Sequence, residues 1–230
     1  QRRIAAILDQ AETLRTQRRQ ALTHLDTLTQ SLFLDMFGDP VVNPKGWSKR
    51  KIGELGGVHT GKTPPSQDSA NFVGSIPFVT PGDLDGDLTS TVRHLSDVGA
   101  TYCAVVRPGS SLVSCIGNIG KLGKAQVPTA FNQQINAVEW SACVDDTFGL
   151  AALEHARPQM LALSSATTLP ILNKSNFSKV EVVVPPLAVQ QTFATRIQAI
   201  EALKATHRTA LTQLDALFAS LQQRAFAGEL

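Results

Sequence analysis

The 230-residue sequence has almost no charge imbalance, since 21 Lys and Arg against 19 Asp and Glu give a formal net charge of +2. That is far below what an electrostatically driven nucleic-acid binder advertises, so composition alone does not point to DNA. Cysteine is scarce. Cys103, Cys115 and Cys143 are an odd number without CxxC spacing, and the five histidines (His24, His59, His94, His155 and His207) are scattered. A disulfide framework and a structural zinc site are both disfavoured, no metal is expected, and the cytoplasm is the natural compartment. Long apolar runs are also missing. The longest, such as 180–187, are broken by charge or proline short of the roughly eighteen residues a membrane span requires, which predicts a soluble chain with no membrane partner.

Catalytic signatures are lacking too. There is no GxSxG elbow, no HExxH, and no recognisable local Cys–His–acid arrangement. Asp83, Asp85 and Asp87 have the spacing of a calcium loop without the rest of its pattern or its terminal Glu. No catalytic residue and no cofactor is nominated. The opening QRRIAAILDQ has neither an initiator Met nor a signal pattern, which leads us to expect a processed or excerpted chain that begins inside a structural element. What is present, 43% hydrophobic residues, is enough for one good core or two modest ones and excludes disorder as the dominant state.

Periodicity gives the first positive signal. Ile4, Ile7, Ala11, Leu14, Ala21, Leu25, Leu28 and Leu32 alternate steps of three and four, with one polar break at Arg18. This is a heptad seam rather than a broad globular face. It ends at Phe37-Gly38-Asp39-Pro40, where Gly can supply a left-handed cap and Pro forbids continuation. A helix of nearly forty residues is about 55 Å long and needs a partner helix. The C-terminal segment supplies one, because it repeats the first at a constant offset: Ala21-Leu22-Thr23 recurs as Ala210-Leu211-Thr212, and Leu25-Asp26 as Leu214-Asp215. Glu12, Leu14, Arg19 and Phe37 are matched by Glu201, Leu203, Arg208 and Phe226. The seam returns as Phe193, Ile200, Leu203, Ala210, Leu214, Leu217 and Leu221, with His207 in place of the break at Arg18. Because polar positions match as well as apolar ones, the architecture is duplicated rather than coincidental.

Between the rods the sequence is rich in Gly, Pro, Ser and Thr, with short β-prone pieces at 75–80, 104–106, 111–116, 134–140 and 180–184 and a helical stretch at 147–163 despite Pro158. The fold class expected is α+β: a loop-rich mixed domain at 39–186 flanked by long helices at 1–38 and 187–230, with Pro185-Pro186-Leu187 as hinge. By the repeat, an equivalent hinge and another domain's end would lie upstream of Gln1.

Four motifs carry possible chemistry. Gly56 to Thr63 fits GxxxxGK followed by Thr, a phosphate-cradling loop that needs a strand before it and a helix starting at the Lys. Residues 51–55 are a poor buried strand, and Pro64-Pro65 opposes a helix, so nucleotide binding is disfavoured. What remains is a basic, hydroxyl-rich loop in which Lys62, Thr63, Ser66 and Gln67 could reach phosphates or base edges, or form an ordinary solvated turn. GNIGKLGK at 117–124 combines three glycines with Asn118, Lys121 and Lys124. It is either an anion site or a hairpin turn with solubilising lysines. Asn132-Gln133-Gln134 with Asn136 offers paired amide donors and acceptors suited to adenine in the major groove, or a buried amide network satisfying loop backbone. Asn173-Lys174-Ser175-Asn176 invites the same two readings, as do Arg93 and His94.

Taken in order, QRRIAAILDQAETLR, LDTLTQSLFLDMFGDP, NPKGW, TGKTPP, IPFVTPGDL, FNQQINAV, LPILNKSNFSKVEVVVPPL and the closing repeat resemble the DNA-specificity subunit of type I restriction-modification enzymes. The resemblance spans nearly the whole chain. It implies a target-recognition domain that reads one half of a split DNA site, and an antiparallel coiled coil of paired helices that sets the spacing between halves. It implies double-stranded DNA as ligand. Its implied partners are methyltransferase subunits carrying S-adenosylmethionine and a restriction/translocase subunit. The chain departs from the family pattern in having one such domain where a complete subunit has two, as a fragment or a half-subunit that pairs with itself would. On this reading the chain is a non-catalytic recognition subunit in which Lys62, Thr63, Ser66, Gln67, Asn118, Lys121, Lys124, Gln133, Gln134 and Lys174 face DNA. Ile4, Ala11, Leu14, Leu25, Leu28, Leu32, Ile200, Leu203, Leu214, Leu217 and Leu221 form the coiled-coil seam. The rival readings are a coiled-coil protein-interaction scaffold and a P-loop nucleotide-binding protein.

Overall fold

The computed structural model describes residues 2–84, 86–165 and 168–227, and the side chains of 6–84, 86–165 and 168–224. Ile4 and Phe226 therefore lie outside the described side chains, and Asp85 outside the described residues. Along the chain come helix α1 (Arg2–Phe37), strand β1 (Ser48–Lys51), α2 (Ile52–Leu55), β2 (Gly56–Thr60), β3 (Ile76–Val79) and β4 (His94–Leu95). There follow α3 (Asp97–Ala100), β5 (Val105–Val106), β6 (Ser111–Ser114), β7 (Leu122–Lys124), β8 (Thr129–Phe131) and β9 (Ile135–Trp140). The last elements are α4 (Asp146–His155), α5 (Arg157–Ala162), α6 (Lys174–Phe177), β10 (Glu181–Val184) and α7 (Leu187–Ala227). The chain divides into two compact units, Gln1–Met36 with Phe193–Leu230, and Phe37–Thr192.

In the first unit the two long helices run antiparallel, as their cross-pairs show: Arg15 with Asp215, Arg18 with His207, Asp26 with Lys204 and Phe33 with Phe193. These pairs carry the sequence repeat into three dimensions. The 2.6 Å ion pair from Arg15 Nε to Asp215 and the 2.8 Å pair from Lys204 Nζ to Asp26 are images of one another under the repeat. So are the intrahelical pairs Arg15–Glu12 and Lys204–Glu201. Arg18 and His207, which are equivalent to each other, meet at 3.1 Å. A local two-fold axis passes between them.

The seam differs from the expected one at four of its ten described positions. Ala11, Leu25, Leu32, Ile200, Leu214 and Leu221 are buried or half-buried. Leu14, Leu28, Leu203 and Leu217 are 40%, 49%, 47% and 51% exposed. The layers assigned to them are filled one residue later, by Arg15, Thr29, Lys204 and Phe218. Counting apolar residues misplaces these layers because the aliphatic stems of Arg15 and Lys204 lie in the seam while their charged ends reach acids at its margin. Arg15 also lies over the ring of Phe218, 4.4 Å from its centroid.

In the second unit α1 ends where expected, at Phe37 before Gly38 in the left-handed region (φ +78°). The expected helix at 147–163 breaks at Ala156 into α4 and α5 just before Pro158, whose missing N–H is tolerated in a first helical turn. Two four-stranded sheets build the core, in the orders β2-β9-β6-β7 and β4-β3-β8-β5, and β1 and β10 form a two-stranded sheet. All pairings are antiparallel except β3 with β8. The inward residues of the two sheets, among them Val79, Leu112, Phe131, Ile135 and Ala137, share one apolar cluster closed by Leu84 and Leu88. Burying such side chains contributes about 1.5–3 kcal/mol each before the entropy of ordering them is counted. No helix is long and apolar enough to cross a membrane among the described residues.

Candidate nucleic-acid interface

The stretch that resembles a phosphate-cradling loop is strand β2 for most of its length, paired antiparallel with β9 from Gly56–Trp140 to Thr60–Asn136. No helix starts at Lys62. Instead the chain runs straight on against the 131–135 turn: Gly61 N–H donates to the Ile135 carbonyl and Lys62 N–H to the Phe131 carbonyl, both at 3.1 Å. Gly61 is needed for that approach, because a Cβ there would sit 2.1 Å from the Asn132 carbonyl oxygen and 2.4 Å from that of Phe131. The glycine makes room for backbone, not for a phosphate.

The amide cluster splits between the two roles considered for it. Asn136 is buried, accepts from the Thr60 hydroxyl at 2.7 Å and donates to the Leu172 carbonyl at 3.1 Å. Asn132, also buried, holds the backbone and side chain of Gln134. Both are structural. Gln133 is exposed, and its Oε1 accepts from Thr63 Oγ1 at 2.7 Å, which orients the amide beside Lys62. Ser66 and Gln67 are exposed further along the same loop.

The GNIGKLGK segment forms the turn and second strand of the β6–β7 hairpin, so Lys121 lies just before β7 and Lys124 at its end. At the turn, Ser114 Oγ donates to the Asn118 carbonyl and accepts from Lys121 N–H. Neighbouring backbone ties the turn to the amide loop and to 170–172: Cys115 N–H donates to the Gln134 carbonyl, Leu172 N–H to that of Cys115 and Gly117 N–H to that of Pro170. Lys62, Thr63, Gln133, Gln134 and the Asn118 turn thus belong to one connected loop cluster. Lys124 lies away from that turn and its ammonium donates to Thr147 Oγ1 at 2.8 Å, while that of Lys121 donates to the Pro81 carbonyl at 2.8 Å. Lys174, exposed, opens α6 two residues beyond Leu172, while Asn173 and Asn176 are used in capping and packing that helix. Arg93 lies on the rings of Phe72 and Phe78, 4.1 and 5.5 Å from their centroids, and so serves packing.

Sequence reasoning missed Arg157. Its guanidinium donates to the Ile119 carbonyl and to Asn118 Oδ1, at 3.2 and 3.1 Å, and so braces the hairpin turn from α5. With Asn118, Lys121, Leu122, Leu150 and Glu154 it lines an open cavity of about 420 Å³. No local pattern could reveal this, because the partners are 39 residues apart. The thiols offer no nucleophile here: burial pushes Cys115 up to about 11 and raises Cys103 as well. Among the described residues no cluster of His, Cys, Asp or Glu could hold a metal ion.

Residues 44–216 match the family described as type I restriction modification DNA specificity domain. The chain belongs to that family. It is 28% identical over 164 residues to the type I restriction enzyme HindI specificity subunit of Haemophilus influenzae, a match covering 68% of this chain and 36% of that protein. Among solved structures, the HsdS subunit from Thermoanaerobacter tengcongensis is similar over 99% of this chain and 57% of its own, with 24% identity and a TM-score of 0.65. The type I restriction-modification S subunit from M. genitalium is similar over 95% of this chain and 58% of its own, with 12% identity and a TM-score of 0.68. At these identities the likeness to solved structures is one of fold. The chain spans little more than half the length of these solved subunits, and its match covers about a third of the curated relative. The specificity-domain match includes the whole loop cluster, from Lys62 to Lys174.

Proposed function

We propose that the chain is a non-catalytic DNA-recognition component of a type I restriction-modification complex, in which the 39–186 domain reads one half of a split double-stranded target. The observation that carries this reading is the loop cluster itself. It places an exposed amide, Gln133, held by Thr63, beside Lys62 and next to a braced turn bearing Asn118 and Lys121. A fixed amide can read a base edge while lysines hold phosphates. Lys62, Thr63, Ser66, Gln67, Asn118, Lys121, Gln133, Gln134 and Lys174 are the side chains assigned to DNA, with Arg157 as a brace. Lys124, at the far end of its hairpin, is the weakest member of the set.

The paired helices would serve as spacer and docking platform. At about 54 Å, α1 exceeds one turn of B-DNA, about 34 Å. The exposed stripe of Leu14 and Leu28 and its repeat-related counterpart, Leu203 and Leu217, leave apolar surface for methyltransferase subunits. A restriction/translocase subunit would join that assembly in the cytoplasm, and a second copy of this chain could supply the other half-site. No cofactor is assigned to this chain, since methyl transfer and cleavage would reside in the partners.

The test is adenine-methylation mapping after co-expression with the cognate methyltransferase, compared with methyltransferase alone. Methylation at a split motif that changes when Gln133 is replaced by Ala is the expected result. Methylation independent of this chain would overturn the reading and favour a protein scaffold.

A further inference from the structure

The three consecutive cations Lys49, Arg50 and Lys51 have no place in the loop cluster. They lie on β1, all exposed, and among the described residues β1 has one neighbouring strand, β10. Lys179 is exposed just before β10, beside the point where Ile52 N–H donates to the Val180 carbonyl. Segments 45–54 and 174–181 together hold six cations and two carboxylates, Glu54 and Glu181, in a chain whose totals are 21 and 19. The modest net charge therefore hides a strongly basic region. Along β1 itself few of these charges are neutralised. Arg50 meets Glu54 at 3.4 Å, the Lys49 ammonium donates to the neutral Val41 carbonyl at 3.2 Å, and the Lys51 side chain, opposite Glu181 in the ladder, makes no hydrogen bond or ion pair among the described residues.

We propose that this β1–β10 ribbon is a second, sequence-independent DNA contact that holds backbone phosphates through Lys49 and Lys51; the inference rests on the DNA-reading function proposed above. One or two lysines would suffice to blunt an exposed edge strand. Here the charge extends to the neighbouring segment and to Lys174 at the loop cluster. Alternation along a strand puts Lys49 and Lys51 on the same face, about 6.6 Å apart, close to the axial spacing of two successive steps along one DNA strand. Lysine ammonium groups suit phosphates, which need charge, rather than base edges, which need fixed direction.

The test is fluorescence-anisotropy titration of the full chain with a labelled mixed-sequence duplex of about 40 base pairs, between about 50 and 200 mM salt. The double variant Lys49→Ala/Lys51→Ala should make the log–log salt slope shallower by about two, and Lys49→Arg/Lys51→Arg should keep it. Gln133→Ala should leave the slope unchanged. A wild-type slope retained in the Ala variant, or no wild-type binding at about 50 mM salt, overturns the ribbon contact. So does a loss of methyltransferase association in the Ala variant at unchanged slope, which would make the ribbon a protein-docking surface. The two proposals fail separately, because methylation mapping reports sequence reading and the salt slope reports the ribbon.

Discussion

Replacing Gly61 by Ala tests whether the TGKT segment is a packing feature or a nucleotide loop. An added Cβ would meet the Asn132 and Phe131 carbonyl oxygens at 2.1 and 2.4 Å, about 1 Å inside ordinary contact. Neither oxygen is on a side chain that can swing away. Both belong to the turn whose backbone anchors Gly61 and Lys62. Relief requires the two segments to separate, at about 1–3 kcal/mol for overpacking. Weakening two backbone hydrogen bonds adds about 1 kcal/mol each, and the lower entropy of unfolded Ala returns about 0.4–1 kcal/mol. A net cost of about 2–4.5 kcal/mol in a unit of about 150 residues lowers the melting temperature by about 4–18 °C. Thermal melting followed by circular dichroism measures it, with Lys62→Ala expected to stay within about 1 °C of wild type because that side chain is exposed. Were the segment a nucleotide loop, saturating ATP would raise the wild-type melting temperature by linkage. An unchanged melting temperature in Gly61→Ala, or an ATP-dependent rise in wild type abolished by Lys62→Ala, would refute the reasoning.

Leu25→Asp or Leu214→Asp puts a carboxylate into the helix seam and should cost about 2 kcal/mol or more; an unaltered helical melt would dismiss the pairing. Lys204→Met should be neutral or stabilising, within about 1 kcal/mol, because Asp26 and Glu201 are 66% and 48% exposed and stay hydrated without it; a loss of more than about 2 kcal/mol would mean the ion pairs hold the helices together. At pH 8 a thiol reagent should modify exposed Cys143 quickly and Cys115, pushed up to about 11, only on unfolding; equal rates would contradict the burial. Burial, opposed by Glu154 and Asp39, lowers the His155 pKa below its ordinary 6.5. The stability it contributes is complete above that value and lost as pH falls through the folded-state one, so His155→Gln should flatten the melting temperature below about pH 6.5, and an unchanged pH profile would count against it.

What could be read directly from the sequence was whatever local chemistry decides. The end of α1 at Gly38 and the strand at 135–140 follow from turn residues and alternation that act over a few positions. Sheet order did not, because pairing β2 with β9 depends on contacts nearly eighty residues apart. The candidate interface divides in the same way. Clustered amides at 132–136 announced a polar loop, but only the packing assigns Asn132 and Asn136 to the framework and turns Gln133 outward. The basic ribbon escaped notice because a whole-chain charge of +2 averages away the local excess, to which a segment more than a hundred residues distant contributes two of the six cations.

The helix seam shows why duplication in the sequence is a stronger guide than hydrophobicity. Apolar periodicity alone selected Leu14 and Leu203 over their neighbours Arg15 and Lys204. The repeat relates both pairs equally, so it could not choose between them, yet it fixes what the choice must satisfy. Whatever Arg15 does to Asp215, Lys204 must do to Asp26. The structure meets that condition with ion pairs of 2.6 and 2.8 Å. Two long cations in a seam are tolerated because each finds, on the opposite helix, the aspartate that the repeat duplicated. Antiparallel register is thereby specified by charge as well as by shape, since a seven-residue slip of one helix would carry the ammonium of Lys204 about 10 Å from Asp26.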